Sequence, residues 1–150
     1  DKVPNWYLDV SLLNKYWGSD RVYHHTAPVN MNFGIREALR LLAKEGLEVS
    51  WDRHRKNAKL LWDSLENLGL ELQVKEELRL PTLTTVKIPE GVDGKAFTKH
   101  LLNNFGIEIG GGLGDLAGKV WRIGLMGYNS TSMNVDKIIN IFETELPKFR

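Results

Sequence analysis

"IGGGLGDLAGKVWRIGL", residues 109–125, is the stretch on which the fold turns. Gly112, Gly114 and Ala117 match the spacing G-x-G-x-x-A, so a helix starting here would make a dinucleotide-binding unit of a parallel, doubly wound sheet. The glycines lead instead into "VWRIGL" (120–125), in which Trp121, Ile123 and Leu125 alternate with Val120, Arg122 and Gly124. That period of two belongs to a strand. The glycines are therefore expected in a tight loop that needs positive φ or close backbone approach. Strand, glycine loop, strand predicts a small sheet whose neighbours run antiparallel.

The flanking sequence supplies the rest of that fold. Upstream, Asp93 and Gly94 open a helix carrying Phe97, Leu101, Leu102 and Phe105 and ending at Gly106, and "IEI" (107–109) reads as a short strand. "TLTTVKI" (82–88) is rich in β-branched residues and halted by Pro89, and "LELQVK" (70–75) alternates, so both are expected as strands. Two long helices come earlier. One begins after Pro28 with Met31, Ile35, Ala38, Leu39 and Leu42 on one side and stops at Gly46; the next carries Leu47, Trp51, Ala58, Leu61, Trp62, Leu65 and Leu68 and stops at Gly69. Downstream, "NSTS" (129–132) can cap a last helix whose apolar face is Val135, Ile138, Ile139, Phe142 and Leu146. At the other end, "WYLDV" (6–10) suggests a short strand, "SLLNKYW" (11–17) a helical turn and "RVYHHTAP" (21–28) an extended segment. The order predicts an α+β layer: a small, mostly antiparallel sheet with helices packed on one face.

At 150 residues, 42% apolar and 26% charged, the chain has the composition of about one ordinary globular domain. Twenty basic against nineteen acidic residues leave a net charge of +1, which argues against a nucleic-acid partner engaged through bulk charge. Zero Cys removes disulfides, thiolate zinc sites and a Cys nucleophile together. No apolar run approaches the roughly 20 residues needed to cross a bilayer, so no membrane partner is expected and the protein is read as soluble and intracellular. Asp1 stands where an initiator Met would, as in a piece of a longer protein. The ending "KFR" is not a peroxisomal S-K-L-type address, which leaves peroxisome, mitochondrion and cytosol open.

Several residues are candidates for chemistry. His24 and His25 are adjacent, point opposite ways in an extended segment and make a poor chelate; packed or hydrogen-bonded imidazoles fit them better. His54 and His100 fall on separate helices, so no metal set assembles. Tyr23 and Thr26 offer two uncharged hydroxyl donors just before a helix starts, which suits a phosphate, although a plain helix start explains them too. Arg122 lies in a short apolar strand with a Gly beside it, a setting that can receive a planar carboxylate through two parallel hydrogen bonds. An Arg on a solvent-facing or interface side of the sheet is the competing reading. "WDRHRKNAK" (51–59) spreads its charges around a helix and is expected to be a solvated face, with Trp51 and Trp62 in the core or an interface.

"YHHTAPV" (23–29), "GLEVSWDRHR" (46–55), "LRLPTLTTVKIP" (78–89), "FGIEIGGGLGDLAGKVWRIGLMG" (105–127) and "NVDKI" (134–138), in this order, resemble the C-terminal part of alanine–glyoxylate and serine–pyruvate aminotransferases. These are fold-type I, class V enzymes that use pyridoxal 5'-phosphate (PLP). The resemblance implies that residues 1–29 are the tail of the large PLP-binding domain, 30–46 an interdomain helix and 47–150 the C-terminal small domain. It implies a homodimer acting on amino acids and 2-oxo acids, moving an amino group from alanine or serine to glyoxylate or pyruvate. Tyr23 and Thr26 would reach across the dimer interface to the phosphate of the neighbouring subunit's PLP, and Arg122 would hold the substrate α-carboxylate. The family's PLP-bearing lysine, the Asp on the pyridinium nitrogen and the aromatic stacked on the ring precede the region matched here. None of the twelve Lys sits in such a context, so the chain alone is expected to be inactive. Trp6, Tyr7, Trp17 and the stripe from Met31 to Leu42 would then be faces left uncovered. A hydroxykynurenine-type transaminase of the same family and a non-catalytic carboxylate-binding or dimerisation module are the alternatives.

Overall fold

The computed structural model describes residues 3–150. They form two compact units, one ending at Lys44 and one running Glu45–Arg150.

In the first unit, the Asn5 side chain accepts hydrogen bonds from the backbone N–H of Tyr7 and Leu8 at 3.0 and 3.3 Å and winds Trp6–Leu8 into a 3-10 turn. The strand expected over residues 6–10 does not form, because this cap satisfies the backbone locally. Asp9 then caps helix α1 (Val10–Trp17), accepting from the N–H and the hydroxyl of Ser11. The hydroxyl bond holds the Asp9 carboxyl below the usual carboxylate range. His24 is buried, stacked on the Trp6 ring at 4.1 Å, with Nε2 3.1 Å from the Trp6 carbonyl and Nδ1 2.8 Å from Nδ1 of His25. Helix α2 (Val29–Glu45) begins after Pro28 as its spacing predicts, and Met31, Ile35 and Leu39 are each more than half exposed.

The second unit is the α+β layer read from the sequence. Helix α3 (Leu47–Asn67) leads to strand β1 (Leu83–Lys87), helix α4 (Gly94–Phe105), strands β2 (Gly110–Gly111) and β3 (Val120–Gly124), and helix α5 (Ser132–Glu145). The sheet has the order β1-β3-β2 with both pairings antiparallel; Arg122 lies between Thr85 and Gly110, and Trp121 lies opposite Val86. Leu61 and Leu65 of α3, Phe97 and Leu101 of α4, and Val135 and Phe142 of α5 close over the Val86, Trp121 and Ile123 face. Trp121 is 1% exposed, so at about 25 cal/mol per Å² its burial supplies roughly 4–6 kcal/mol of gross driving force. Its indole N–H donates to the Gly94 carbonyl at 3.1 Å, which removes the penalty of hiding a donor. Trp62 docks α3 on the same face by donating from Nε1 to the Thr84 hydroxyl at 2.9 Å.

Helix ends obey their chemistry. Asp93 caps α4 by accepting from the N–H of Lys95 and Ala96, and Gly106 ends it at φ +65°. Thr131 caps α5 through the N–H of Asn134.

Two expectations for this unit need correction. Residues 70–75 contribute a single bridge, Leu72 to Val86; past it, Arg79 draws the chain aside by donating to the Val74 carbonyl and pairing with Glu66. Residues 107–109 do not join the ladder, which takes up only Gly110 and Gly111 on that side. A cavity of about 300 Å³ opens there, bordered by Ile107, Glu108, Ile109, Ile123 and Leu125. Val120 shares the Arg122 side of its strand yet is buried, because the glycine loop folds against it: a Cβ on Gly112 would sit 2.9 Å from the Val120 Cγ2.

Candidate functional site

Arg122 stands on the central strand, on the side away from Trp121 and Ile123, and is half-buried. Its guanidinium lies over Gly110, where a Cβ would come 3.3 Å from Nη2, 3.5 Å from Nε and 3.6 Å from Cζ. Nε donates to the carbonyl of Gly111 at 2.7 Å, which fixes the plane of the fork. The two Nη groups find no acceptor among the described residues, and Arg122 is in none of their ion pairs. A guanidinium steered by one backbone bond, with its paired N–H donors free, is ready for the two oxygens of a carboxylate. The cavity beside β3 is not lined by Arg122. Gly110 is the residue whose meaning the sequence obscured, since a run of three glycines hides which one seats a side chain.

In the first unit the Tyr23 and Thr26 hydroxyls meet at 2.7 Å, both residues exposed. Either O–H can donate to the other, and either can turn outward. A fully extended segment would put side chains three residues apart on opposite sides, so their meeting shows that the backbone bends between them, with the buried His24 inside the bend and its ring bonded to the Trp6 carbonyl. His24 and His25 are engaged with each other and with Trp6, as packed imidazoles should be. Among the described residues no cluster of His, Asp or Glu has metal-binding geometry.

No protein-family model matches the chain. It is 51% identical over 141 residues to an alanine–glyoxylate aminotransferase of Callithrix jacchus, covering 91% of this chain and 34% of that protein. A crystal structure of alanine–glyoxylate aminotransferase from Nostoc superposes with a TM-score of 0.87 at 63% identity, over 95% of this chain and 38% of that one. The chain matches the C-terminal portion of the alanine–glyoxylate aminotransferases. A ureidoglycine–glyoxylate aminotransferase from Bacillus subtilis has the same fold, with a TM-score of 0.90 at 38% identity over 99% of this chain and 38% of that one. The chain spans about a third of the length of the curated aminotransferases it matches. No described helix is long and apolar enough to cross a membrane.

A third group of residues in this aminotransferase-like chain departs from the solvated face expected over 51–59. Arg53 is bound on every side: Nε and Nη2 donate to the two oxygens of Glu45 at 2.5 and 3.0 Å, and Nη1 donates to the carbonyls of Gly127 and Ser130 at 2.8 and 2.7 Å. The Arg53 guanidinium holds the Glu45 carboxyl below the usual carboxylate range. Asn57 donates to the Ser130 carbonyl at 2.8 Å. Arg55 and Lys59, by contrast, make exposed pairs with Asp52 and Asp63 and are solvated as expected. Trp51 is exposed, which rules out the core half of the reading made for it and leaves the interface half. No one-dimensional period shows which charge on a helix will meet a turn more than seventy residues away.

Proposed function

We propose that the complete protein is a PLP-dependent aminotransferase and that these residues are its small domain (47–150), the helix leading to it (30–46) and the tail of the large domain (1–29). The observation that carries the reading is the fork of Arg122, aimed by Gly111 and seated on Gly110, with both Nη groups free for the α-carboxylate of an amino or 2-oxo acid. Aminotransferases at 51% and 63% identity support it. The two structural relatives share glyoxylate in their names, which favours glyoxylate as the acceptor here, with alanine or serine as donor.

The residues fit the cofactor. Tyr23 and Thr26 present adjoining, uncharged, exposed hydroxyls, which suit the phosphate of PLP held in a homodimer. PLP, when bound, supplies an electron sink for the amino acid's Cα, and a lysine outside these residues carries it. Arg122 contributes binding and orientation: two parallel hydrogen bonds fix the plane of the substrate carboxylate and the position of its Cα. Alone, the chain orients an acid but turns nothing over.

The test is alanine–glyoxylate turnover by the full-length protein with Arg122→Lys. A point charge replaces a fork, and kcat/KM should fall by an amount equivalent to about 2–4 kcal/mol, mostly through KM. An unchanged KM for both substrates would remove Arg122 from the site.

A further inference from the structure

His54 lies on α3, facing the turn that joins β3 to α5. Its Nδ1 is 2.6 Å from the Ser50 carbonyl, which can only accept, so Nδ1 carries a proton. Its Nε2 is 2.9 Å from the backbone nitrogen of Gly127, which can only donate, so Nε2 is bare. Both bonds exist together in one state of the ring alone, the neutral Nδ1–H form. An imidazolium would set two N–H groups against each other across 2.9 Å.

We propose that His54 is a positioning residue that latches the Gly127–Asn129 turn to α3 only while uncharged, making the presentation of that turn dependent on pH. Arg53 holds both ends of the turn through the Gly127 and Ser130 carbonyls and Asn57 holds the Ser130 end, so a released Gly127 N–H loosens the entry to the turn without melting it. The charged groups around the ring are few. Glu45 faces it from the end of α2, near enough for a charged His54 to favour the ionised carboxylate further, and Arg53 lies between that carboxylate and the turn. The turn itself brings only Tyr128, 97% exposed, and α5 begins with the uncharged Ser132, Met133 and Asn134. The object displayed is apolar: Met126 and Tyr128 both point outward beside the latched amide. The inference rests on residues 45–134 and stands whether or not the protein is a transaminase.

The experiment is single-amide hydrogen exchange, together with nitrogen-15 shifts of the labelled histidines, on the full-length protein. At neutral pH the His54 resonances should be those of an Nδ1–H ring with an acceptor Nε2. On acidification from neutral pH, Gly127 protection, normalised to the intrinsic rate, should fall about tenfold, as expected for losing one hydrogen bond worth about 1.4 kcal/mol. His54→Gln keeps an acceptor oxygen that does not titrate, so its Gly127 protection should persist across the range, whereas His54→Ala should lack it throughout. An Nε2–H ring, or the same pH-dependent loss in His54→Gln, would overturn the proposal. The ring spectrum decides even where the Ala variant fails to fold.

Discussion

Gly110, Gly111 and Gly112 are identical in sequence and should respond in three ways to a single added methyl group. At Gly112 a Cβ would lie 1.9 Å from the Leu116 carbonyl oxygen, 2.5 Å from its carbon and 2.9 Å from Val120 Cγ2. Backbone cannot rotate away as a side chain can, so the loop must retreat by more than an ångström. Two hydrogen bonds stand in that path, Gly112 N–H to Val120 O and Lys119 N–H to Leu116 O, each 3.0 Å. Overpacking of about 1–3 kcal/mol plus about 1 kcal/mol for each weakened bond puts Gly112→Ala at roughly 3 kcal/mol or more. At about 4 °C per kcal/mol that lowers Tm by about 12 °C. Gly111 meets nothing within 4 Å, so Gly111→Ala should be neutral within about 0.5 kcal/mol. Gly110→Ala meets only the end of the Arg122 side chain and should leave Tm nearly unchanged while pushing the guanidinium by a few tenths of an ångström. Thermal unfolding monitored by circular dichroism of the three variants decides the matter. If Gly112→Ala melts with Gly111→Ala, the close approach of the loop to its own start is wrong.

The Glu45 carboxyl is held low by Arg53, so its contribution to stability is complete above the ordinary carboxylate range and is lost as pH falls through its lowered value; the Tm gap between the wild type and Glu45→Gln should close on acidification, and a constant gap would contradict the pairing. Removing the α4 cap with Asp93→Ala should cost about 1 kcal/mol in urea unfolding, and restoration by Asp93→Asn would show that capping rather than charge is responsible.

The elements legible in the sequence are those whose ends carry their own chemistry. Asp93 and Gly106 bracket α4, Thr131 opens α5 and Pro89 stands just past β1, one residue beyond Ile88, so local rules are enough. The segments that differ from their sequence reading are decided from outside. The alternation of residues 70–75 is real, but Arg79 and Glu66 lead the chain off after one bridge. "WYLDV" has strand-forming residues, yet Asn5 bonds two of its amides first. At the candidate site, the strand, the side and the chemical type of Arg122 are readable from period two. The glycine that seats it, and the binding of Arg53 and His54 to a turn seventy-odd residues on, need three dimensions.

The two edges of β3 are held unequally: five residue pairs join it to β1 and only two join it to β2. Warming should therefore fray the short side first. Gly110 and Gly111 would drift off together, taking with them the seat under the guanidinium and the carbonyl that steers its Nε, while the Arg122 backbone stays zipped to Thr85. The arm would lose its aim before it lost its place, and the hold on an acid proposed for it would fade with temperature well ahead of the cooperative melt.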